Sequence, residues 1–510
     1  MPTYLSPGVY MEEVSSGSKP IEGVGTAVAA FVGFAEQGPV NAPTLVTNWT
    51  QFVNNFGGFI EGSHLAHAVY AYFLNGGGVA YVVRVGAGED NGKQPELPAA
   101  RAELLPAHGG DKPPFTVEAK QGGVDGDRIS VEITDASEQN DDTFRLVVHA
   151  PGRDETYDNV TLSKGPNNVV TKVRAESQLI TITETRGQTG QPARGTVALS
   201  GGALPVRVEV APNDYIGDAS QRTGFAGLEA VEEVTMLVVP DLMAAYQRDL
   251  VDLEGVKGVQ AAMIAHCELM ANRVAVLDTP PGLNAQQVKE WRQDITGFDS
   301  KFATMYWPWV KVLDPLSGKG VFTPPSGAVA GVWARNDDTR GVHKAPANEV
   351  LRGVLELELN ITKGEHDQLN PLNLNCIRSF PGQGIRVWGA RTLSSDPEWR
   401  YLNVRRLFNF VESSILGGTN WVVFEPNDPK LWDAVTRTVT MFLRRVWRDG
   451  ALFGRTQGEA FYVKCDEENN PPENRDAGIL TVEIGIAPVK PAEFVVFRIS
   501  QFNGGAGVEE

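Results

Sequence analysis

From residue 206 onward the chain alternates short apolar segments with helix-patterned ones, and this rhythm constrains the fold more than any other feature. "EVTMLVVPD" reads as a buried strand ending in a turn and "VQAAMIAHCELMANR" as an amphipathic helix. "VAVLDTPPG" reads as the next strand, "NAQQVKEWRQDI" as a helix and "FATMYWPWVKVLD" as one further strand. Strands that are apolar on both faces lie inside covered sheets, and strands separated by helices are joined by crossovers. The pattern therefore predicts a partly parallel sheet covered by helices. Closer to the N-terminus, "TAVAAFVGFA" reads as a strand and "TNWTQFVNNFGG" as a short helix capped by Thr47. "HLAHAVYAYFLNGGG" follows as a helix stopped by glycines, and "VAYVVRVG" as a strand.

Between these stretches, residues 88–205 turn to Gly-, Pro- and Asp-rich loops with alternating strands such as "RISVEI", "TFRLVVHA" and "VRAESQLITITET", with hardly any helical periodicity. The predicted fold is an α/β core, a mixed sheet covered by helices, with an inserted mostly-β domain and extended N- and C-terminal strand arms. The expected boundaries are an N-terminal arm and hinge over 1–25, the first part of the core over 26–87, a β-rich outer domain over 88–205, the second part of the core over 206–486, and a linker, strand arm and tail over 487–510.

The arms pose a problem of partners. "PGVYMEEV" reads as a short strand containing Val9, Tyr10 and Met11, followed by a tether with Ser16, Gly17 and Pro20 as hinge positions. In "GILTVEIGI", Leu480, Val482, Ile484 and Ile486 share one face, and "APVKPA" then makes a stiff connector through Pro488 and Pro491. The segment "EFVVFRISQ" sets Val495, Phe497 and Ile499 on one face and Phe494 and Val496 on the other, as in a strand buried on both sides. A connector of residues 487–492 spans about 19 Å at about 3.1 Å per residue, enough to leave its own sheet.

Composition narrows the partners. A net charge of −18 argues against nucleic acid or an anionic membrane as the main partner. The longest apolar run, "AVAAFVGFA", is far shorter than the roughly 20 residues a membrane helix needs, so no membrane insertion is expected. No basic, then apolar, leader opens the sequence, and Cys267, Cys376 and Cys465 lack short spacing, which suits synthesis in a reducing cytoplasm. One basic stripe stands out in "LWDAVTRTVTMFLRRVWRDGAL": Arg437, Arg444 and Arg448 project within about 40° of one another on a helix, backed by Val439, Phe442, Val446 and Trp447. It reads either as a solvated face partly paired with Asp433 and Asp449 or as a docking surface for an acidic partner.

An α/β rhythm invites an enzyme, but no nucleophile elbow, phosphate loop, dinucleotide fingerprint or H-E-x-x-H occurs. "NGKQ" at 91–94 and "SGKG" at 317–320 lack the first glycine and the magnesium-holding Ser/Thr of a phosphate loop and read as turns. His64 and His67 lack a third metal ligand nearby and read as packing or surface residues. Asp241 follows a strand, where α/β enzymes often place carboxylates, but "PDLM" reads as the N-cap of a helix. No catalytic, cofactor or metal residues are expected, and the chain is not read as an enzyme.

Five segments together carry a family likeness: "YLSPGVYMEEVSSGSKPIEGVGTAVAAFVGFAEQGPVN", "PPSGAVAGVWARNDDTRGVHKAPANE", "LNPLNLNCIRSFPGQGIRVWGARTLSSDPEWRYLNVRRLFNFVESSI", "VFEPNDPKLW" and "GEAFYVKCDEENNPPENRDAGILTVEIGIAPVKPAEFVVFRISQ". They resemble the contractile tail sheath family of phage tails and phage-tail-like contractile injection systems. The likeness is loose over 88–205, as for a variable, outward-facing domain. It implies a subunit of a helical tube of stacked hexameric rings around an inner tube, whose arms add strands to neighbouring subunits. Implied partners are further copies of itself, the inner tube protein, and baseplate and tail terminator or cap proteins, with no nucleic acid. The arginine stripe is then expected to face the inner tube. Alternatives are a static tube or shell and an α/β enzyme with an unrecognised site.

Overall fold

Every residue of Val28–Gly33 (β1) is buried, as a strand must be when it has neighbours on both edges and helices on both faces. The computed structural model describes residues 20–498, except 87–98, 108–112, 114, 121–123, 139, 141, 151–152, 186–190 and 202–209. After β1 come Thr44–Val46 (β2), the helices Trp49–Phe56 (α1) and Leu65–Asn75 (α2), and Val79–Arg84 (β3). Three residues long and half exposed, β2 carries too little pattern to be read from sequence. Asn48, not Thr47, caps α1: its side chain accepts from Gln51 N, while Thr47 bonds the Gln51 side chain. Gly76 ends α2 in the left-handed conformation that a glycine adopts without strain.

Residues 100–199 form Arg101–Leu104 (β4), Phe115–Ala119 (β5), Ser130–Asp135 (β6), Phe144–Ala150 (β7), Arg153–Val160 (β8), the helix Val169–Glu176 (α3), Ile180–Glu184 (β9) and Gly195–Ala198 (β10). They make two sheets, β4-β5-β9 and β10-β6-β7-β8, whose pairs are all antiparallel. Alternate residues such as Val131, Ile133, Phe115 and Ile182 point into a core drawn wholly from this segment. The expected strand over "VRAESQLITITET" is divided: its first residues end α3, which Asn168 caps by accepting from Thr171 N, and only Ile180–Glu184 is extended.

The chain then builds Pro212–Ile216 (α4), Met236–Val238 (β11), Asp241–Gln247 (α5), Leu253–Met270 (α6), Val274–Asp278 (β12), Ala285–Glu290 (α7), Ala303–Trp307 (β13), Val310–Leu313 (β14), Gly320–Thr323 (β15), Ser326–Arg340 (α8), Glu349–Val350 (β16), Val354–Leu357 (β17), Lys363–Leu369 (α9), Leu374–Phe380 (β18) and Gly384–Val387 (β19). A nine-stranded mixed sheet has the order β16-β19-β18-β13-β12-β11-β1-β3-β2. Its central strands are parallel and its ends antiparallel. Ala30, Val32, Leu237 and Ala275 face one helical layer, and Ala29, Phe31, Met236 and Val274 the other. On the second face α2 and α8 touch backbone to backbone, since a Cβ at Gly327 would lie 2.5 Å from Ala68 Cα.

The run "FATMYWPWVKVLD" is two strands rather than one. β13 stays in the large sheet, while β14, beyond Pro308, forms a separate sheet with β15 and β17. Ser317, Gly318 and Lys319 lie in the turn of the β14–β15 hairpin, where Gly318 N donates to Asp314 O, and Gly320 opens β15.

Candidate assembly surface

The last part of the chain supplies Leu402–Gly418 (α10), Pro429–Arg448 (α11), Phe461–Lys464 (β20) and Glu483–Ile486 (β21). β20 and β21 form a two-stranded antiparallel sheet, with Phe461 opposite Ile486 and Lys464 opposite Glu483. Leu480, Val482, Ile484 and Ile486 all pack toward one cluster, built on Val435, Val439, Phe442 and Val446 of α11. Only Glu483–Ile486 is a strand, so the sheet is shorter than that face. Neither outer edge has a strand partner among the described residues; packing on α11 supplies the support that an isolated pair of strands lacks in water.

The connector after β21 is not free along its length. Phe453 N donates to Ala487 O, Ala487 N to Ala460 O and Val489 N to Ala451 O. Pro488 is bridged to Leu452, and Asn403 Nδ2 donates to Val489 O. Pro488 is therefore a fixed point rather than a hinge, and Pro491 sits in the short piece Lys490, Pro491, Ala492. Glu493 is fixed again, accepting from Arg391 Nε at 2.8 Å and Nη2 at 2.5 Å. Arg391 is buried and also donates to Asn370 O. Such a fork is among the stronger polar contacts a side chain makes.

Beyond it the expected buried strand is absent. Residues 494–498 are assigned to no strand, and Phe494, Val495, Val496 and Phe497 are 76%, 69%, 76% and 84% exposed. The apolar pattern on both faces stands, but one chain supplies no sheet to bury it. Ile499 lies outside the described residues, as do Val9, Tyr10, Met11, Ser16 and Gly17. Pro20 is exposed, and the expected tether to residue 25 ends there: Ile21 is buried against Gly418, and Val24 N donates to Ser414 Oγ.

Arg437, Arg444 and Arg448 are exposed on α11, as is Arg445, while Val439, Phe442 and Val446 beneath them are buried and Trp447 is half-buried. Arg444 donates from Nε and Nη2 to Gln457 Oε1. The expected pairing with Asp433 and Asp449 is not among the ion pairs of the described residues.

The polar groups of the interior act as struts. Asp241 opens α5 rather than capping it, because Pro240 occupies that place. Its carboxylate accepts from Phe34 N at 2.6 Å, Ser63 Oγ at 2.8 Å, Leu65 N at 3.1 Å and His64 N, so it caps the N-terminus of α2. Burial pushes this carboxyl up to about 6. Asp278 does the same for α8 through Ser326 N and Oγ, and burial lifts it to about 7. His64 bonds Gln247, with its ring pushed down to about 4 by burial, and His67 faces Asp314 at 3.4 Å. No group of three or more His, Cys, Asp or Glu among the described residues is placed to hold a metal. No helix among them is long and apolar enough to cross a membrane.

Sequence reasoning missed two contacts. Arg406 of α10 binds Asp337 of α8 at 2.6 and 2.9 Å, donates to Thr26 O and lies over Trp333, tying the C-terminal helices to the sheet layer. The Arg391–Glu493 fork is the second. Their partners lie 69 and 102 positions apart, and nothing local announces them.

Two family descriptions match consecutive stretches, the phage tail sheath protein central domain over residues 216–393 and the phage tail sheath C-terminal domain over 394–502, together more than half of the chain. The tail sheath protein of Burkholderia phage BcepMu is 24% identical over 516 residues, covering 96% of this chain and 95% of the relative. The anti-feeding prophage helical sheath in its contracted state superposes with a TM-score of 0.59 at 23% identity, covering 98% of this chain and all of that one. The contracted sheath complex of the extracellular contractile injection system PVC gives 0.57 at 23% identity, covering 98% and 99%. The mixed α/β architecture with a large mixed sheet is thus a sheath fold. The chain belongs to the phage tail sheath family.

Proposed function

We propose that this protein is the structural subunit of a contractile sheath. It polymerises as a helical tube of stacked hexameric rings around an inner tube and contracts to drive that tube forward. The observation that carries this reading is a pair of unfinished edges: an arm exposed along Phe494–Phe497, and a two-stranded sheet with both outer edges unpaired among the described residues. An exposed two-faced apolar segment and an open sheet on one chain satisfy each other between copies by strand addition. Because donor and acceptor surfaces differ, the contact is heterologous and propagates.

Each main-chain bond contributes about 1 kcal/mol net and each buried Phe, Val or Ile about 1.5–3, against an association cost of about 4–15 kcal/mol. One arm is marginal, and two arms per subunit, repeated around a ring, make a stable mesh through effective concentration. The N-terminal arm, with Val9, Tyr10 and Met11, is the second donor.

Residues 88–205 form the outer domain, consistent with the separate core of 100–199. The exposed Arg437, Arg444 and Arg448 face carboxylates on the inner tube, because exposed charge pairs are individually weak and release readily. Baseplate and terminator proteins cap the polymer, which is assembled in the cytoplasm and becomes part of a phage tail or injection particle. The driving free energy is stored in a metastable extended polymer.

Deleting residues 493–510 is expected to leave a folded chain that forms no tubes, judged by circular dichroism, sedimentation and electron microscopy. A truncated chain that still forms tubes would sink the strand-exchange reading.

A further inference from the structure

A groove of about 860 Å³ opens beside the root of the C-terminal arm, between residues 343–348 leading into β16, the helix α9 and residues 489–495. Five cationic side chains line it, Arg340, Lys344, Lys363, Arg378 and Lys490, against two carboxylates, Asp367 and Glu493. Glu493 is consumed by Arg391, Lys344 pairs with Glu349 and Lys363 with Asp367. Arg340, Arg378 and Lys490 enter none of the ion pairs among the described residues. Arg378 Nε and His366 Nε2 are buried without a hydrogen-bond partner. In a chain of net charge −18, this is an unneutralised basic groove.

Charge complementarity and chain length identify an occupant. After the apolar arm the sequence reads "FNGGAGVEE", a glycine-rich tether followed by Glu509 and Glu510, outside the described residues. Eleven residues from Arg498 to Glu509 reach about 36 Å when extended. Residues 489–495, which follow β21, line the groove, so it adjoins the sheet on whose edge an arm would be laid.

We propose that the groove seats the acidic segment Glu509–Glu510 of a second copy, making each arm a strand followed by an electrostatic hook. This deepens the strand-exchange reading and rests on it. The hook adds specificity and registry, since exposed charge pairs are individually weak.

The test uses the full chain, assembled from equal parts of isotope-labelled and unlabelled protein, with carbodiimide joining carboxylates to lysines in contact. Mass spectrometry is expected to find the Glu509–Glu510 peptide bonded to the Lys490 or Lys363 peptide in mixed-isotope pairs, and only in polymer. Pairs exclusively of a single isotope, with no mixed ones, meaning a tail folded on its own groove, or Glu12 and Glu13 in its place, would overturn the proposal, as would no bond at these lysines. In parallel, Glu509→Lys with Glu510→Lys is expected to raise the critical concentration for assembly about fivefold, with recovery when Arg340→Glu and Lys490→Glu are added. An unchanged critical concentration would also overturn it. The hook variant still forms tubes at high concentration, whereas removal of residues 493–510 abolishes them, so failure of the hook is distinguishable from failure of strand exchange.

Discussion

The nine-stranded sheet and the two-stranded sheet finish their edges differently. The large sheet ends in β16 and β2, two and three residues long, and two of its helices, α2 and α8, are held by buried carboxylates at their N-termini. Short edge strands are a device against unwanted pairing. The small sheet has four-residue strands, two edges without a strand partner among the described residues, and an apolar arm exposed a few residues away. One region finds its partners within the chain, and the other leaves sheet edges and an apolar segment without partners among the described residues. Regularity and self-sufficiency are therefore separate properties of a sheet.

The sharpest way to break this contrast is to cut what joins the two regions. Asp337 and Arg406 have side chains 4% and 3% exposed, and removing one partner leaves an uncompensated buried charge. Asp337→Ala is expected to destabilise by about 3–5 kcal/mol in chemical denaturation. A loss below about 1 kcal/mol would mean the C-terminal helices stand without this tie.

Next in size is the arm root. Glu493→Gln leaves Arg391 its carbonyl contact with Asn370 but removes the charged fork. It is expected to cost about 1–2 kcal/mol, with a larger defect in tube formation than in melting. Equal loss of both would place the arm root within the fold rather than the assembly.

The body is also where pH acts. Burial lifts Asp278 to about 7 and Asp241 to about 6 from an ordinary 3.8. The folded chain keeps protons that the unfolded chain releases, so the stability they contribute is complete below pH 3.8 and lost as pH rises to about 7. Asp278→Asn cannot ionise and is expected to flatten the fall in stability between pH 4.5 and 7.5, measured by denaturant titration. An unchanged slope would remove Asp278 as a cause.

The smallest effect on the fold is expected at the stripe. Arg437→Glu, Arg444→Glu and Arg448→Glu together should move each site's stability by no more than about 0.5 kcal/mol yet prevent extended sheaths from forming on a tube, as seen by electron microscopy. Normal extended sheaths would make the stripe a solvated helix face.

What could be read in advance follows the range of each force. The alternation around β1, β11 and β12 was legible because a buried strand repeats its demand at every residue. The continuous apolar run through Trp307, Pro308 and Trp309 hid the passage from β13 to β14, since both sheets want the same side chains. α3 was obscured by its β-branched Val169, Val170 and Thr171. For the arm, the apolar pattern was visible but not the fixing of Pro488 or the fork at Glu493, because those bonds join residues far apart in the chain. The arginine stripe was legible as a pattern, while the absence of ion pairs along it among the described residues was not.

The connector has one last consequence. Between Val489 and Glu493 only Lys490, Pro491 and Ala492 make no hydrogen bond among the described residues, a link that stretches no further than about 13–14 Å. If arms join copies, every joint in the tube is a rod of nearly constant length that turns about its ends. Such a trellis cannot shorten by telescoping; as its rods tilt toward the horizontal, it loses height and gains girth together.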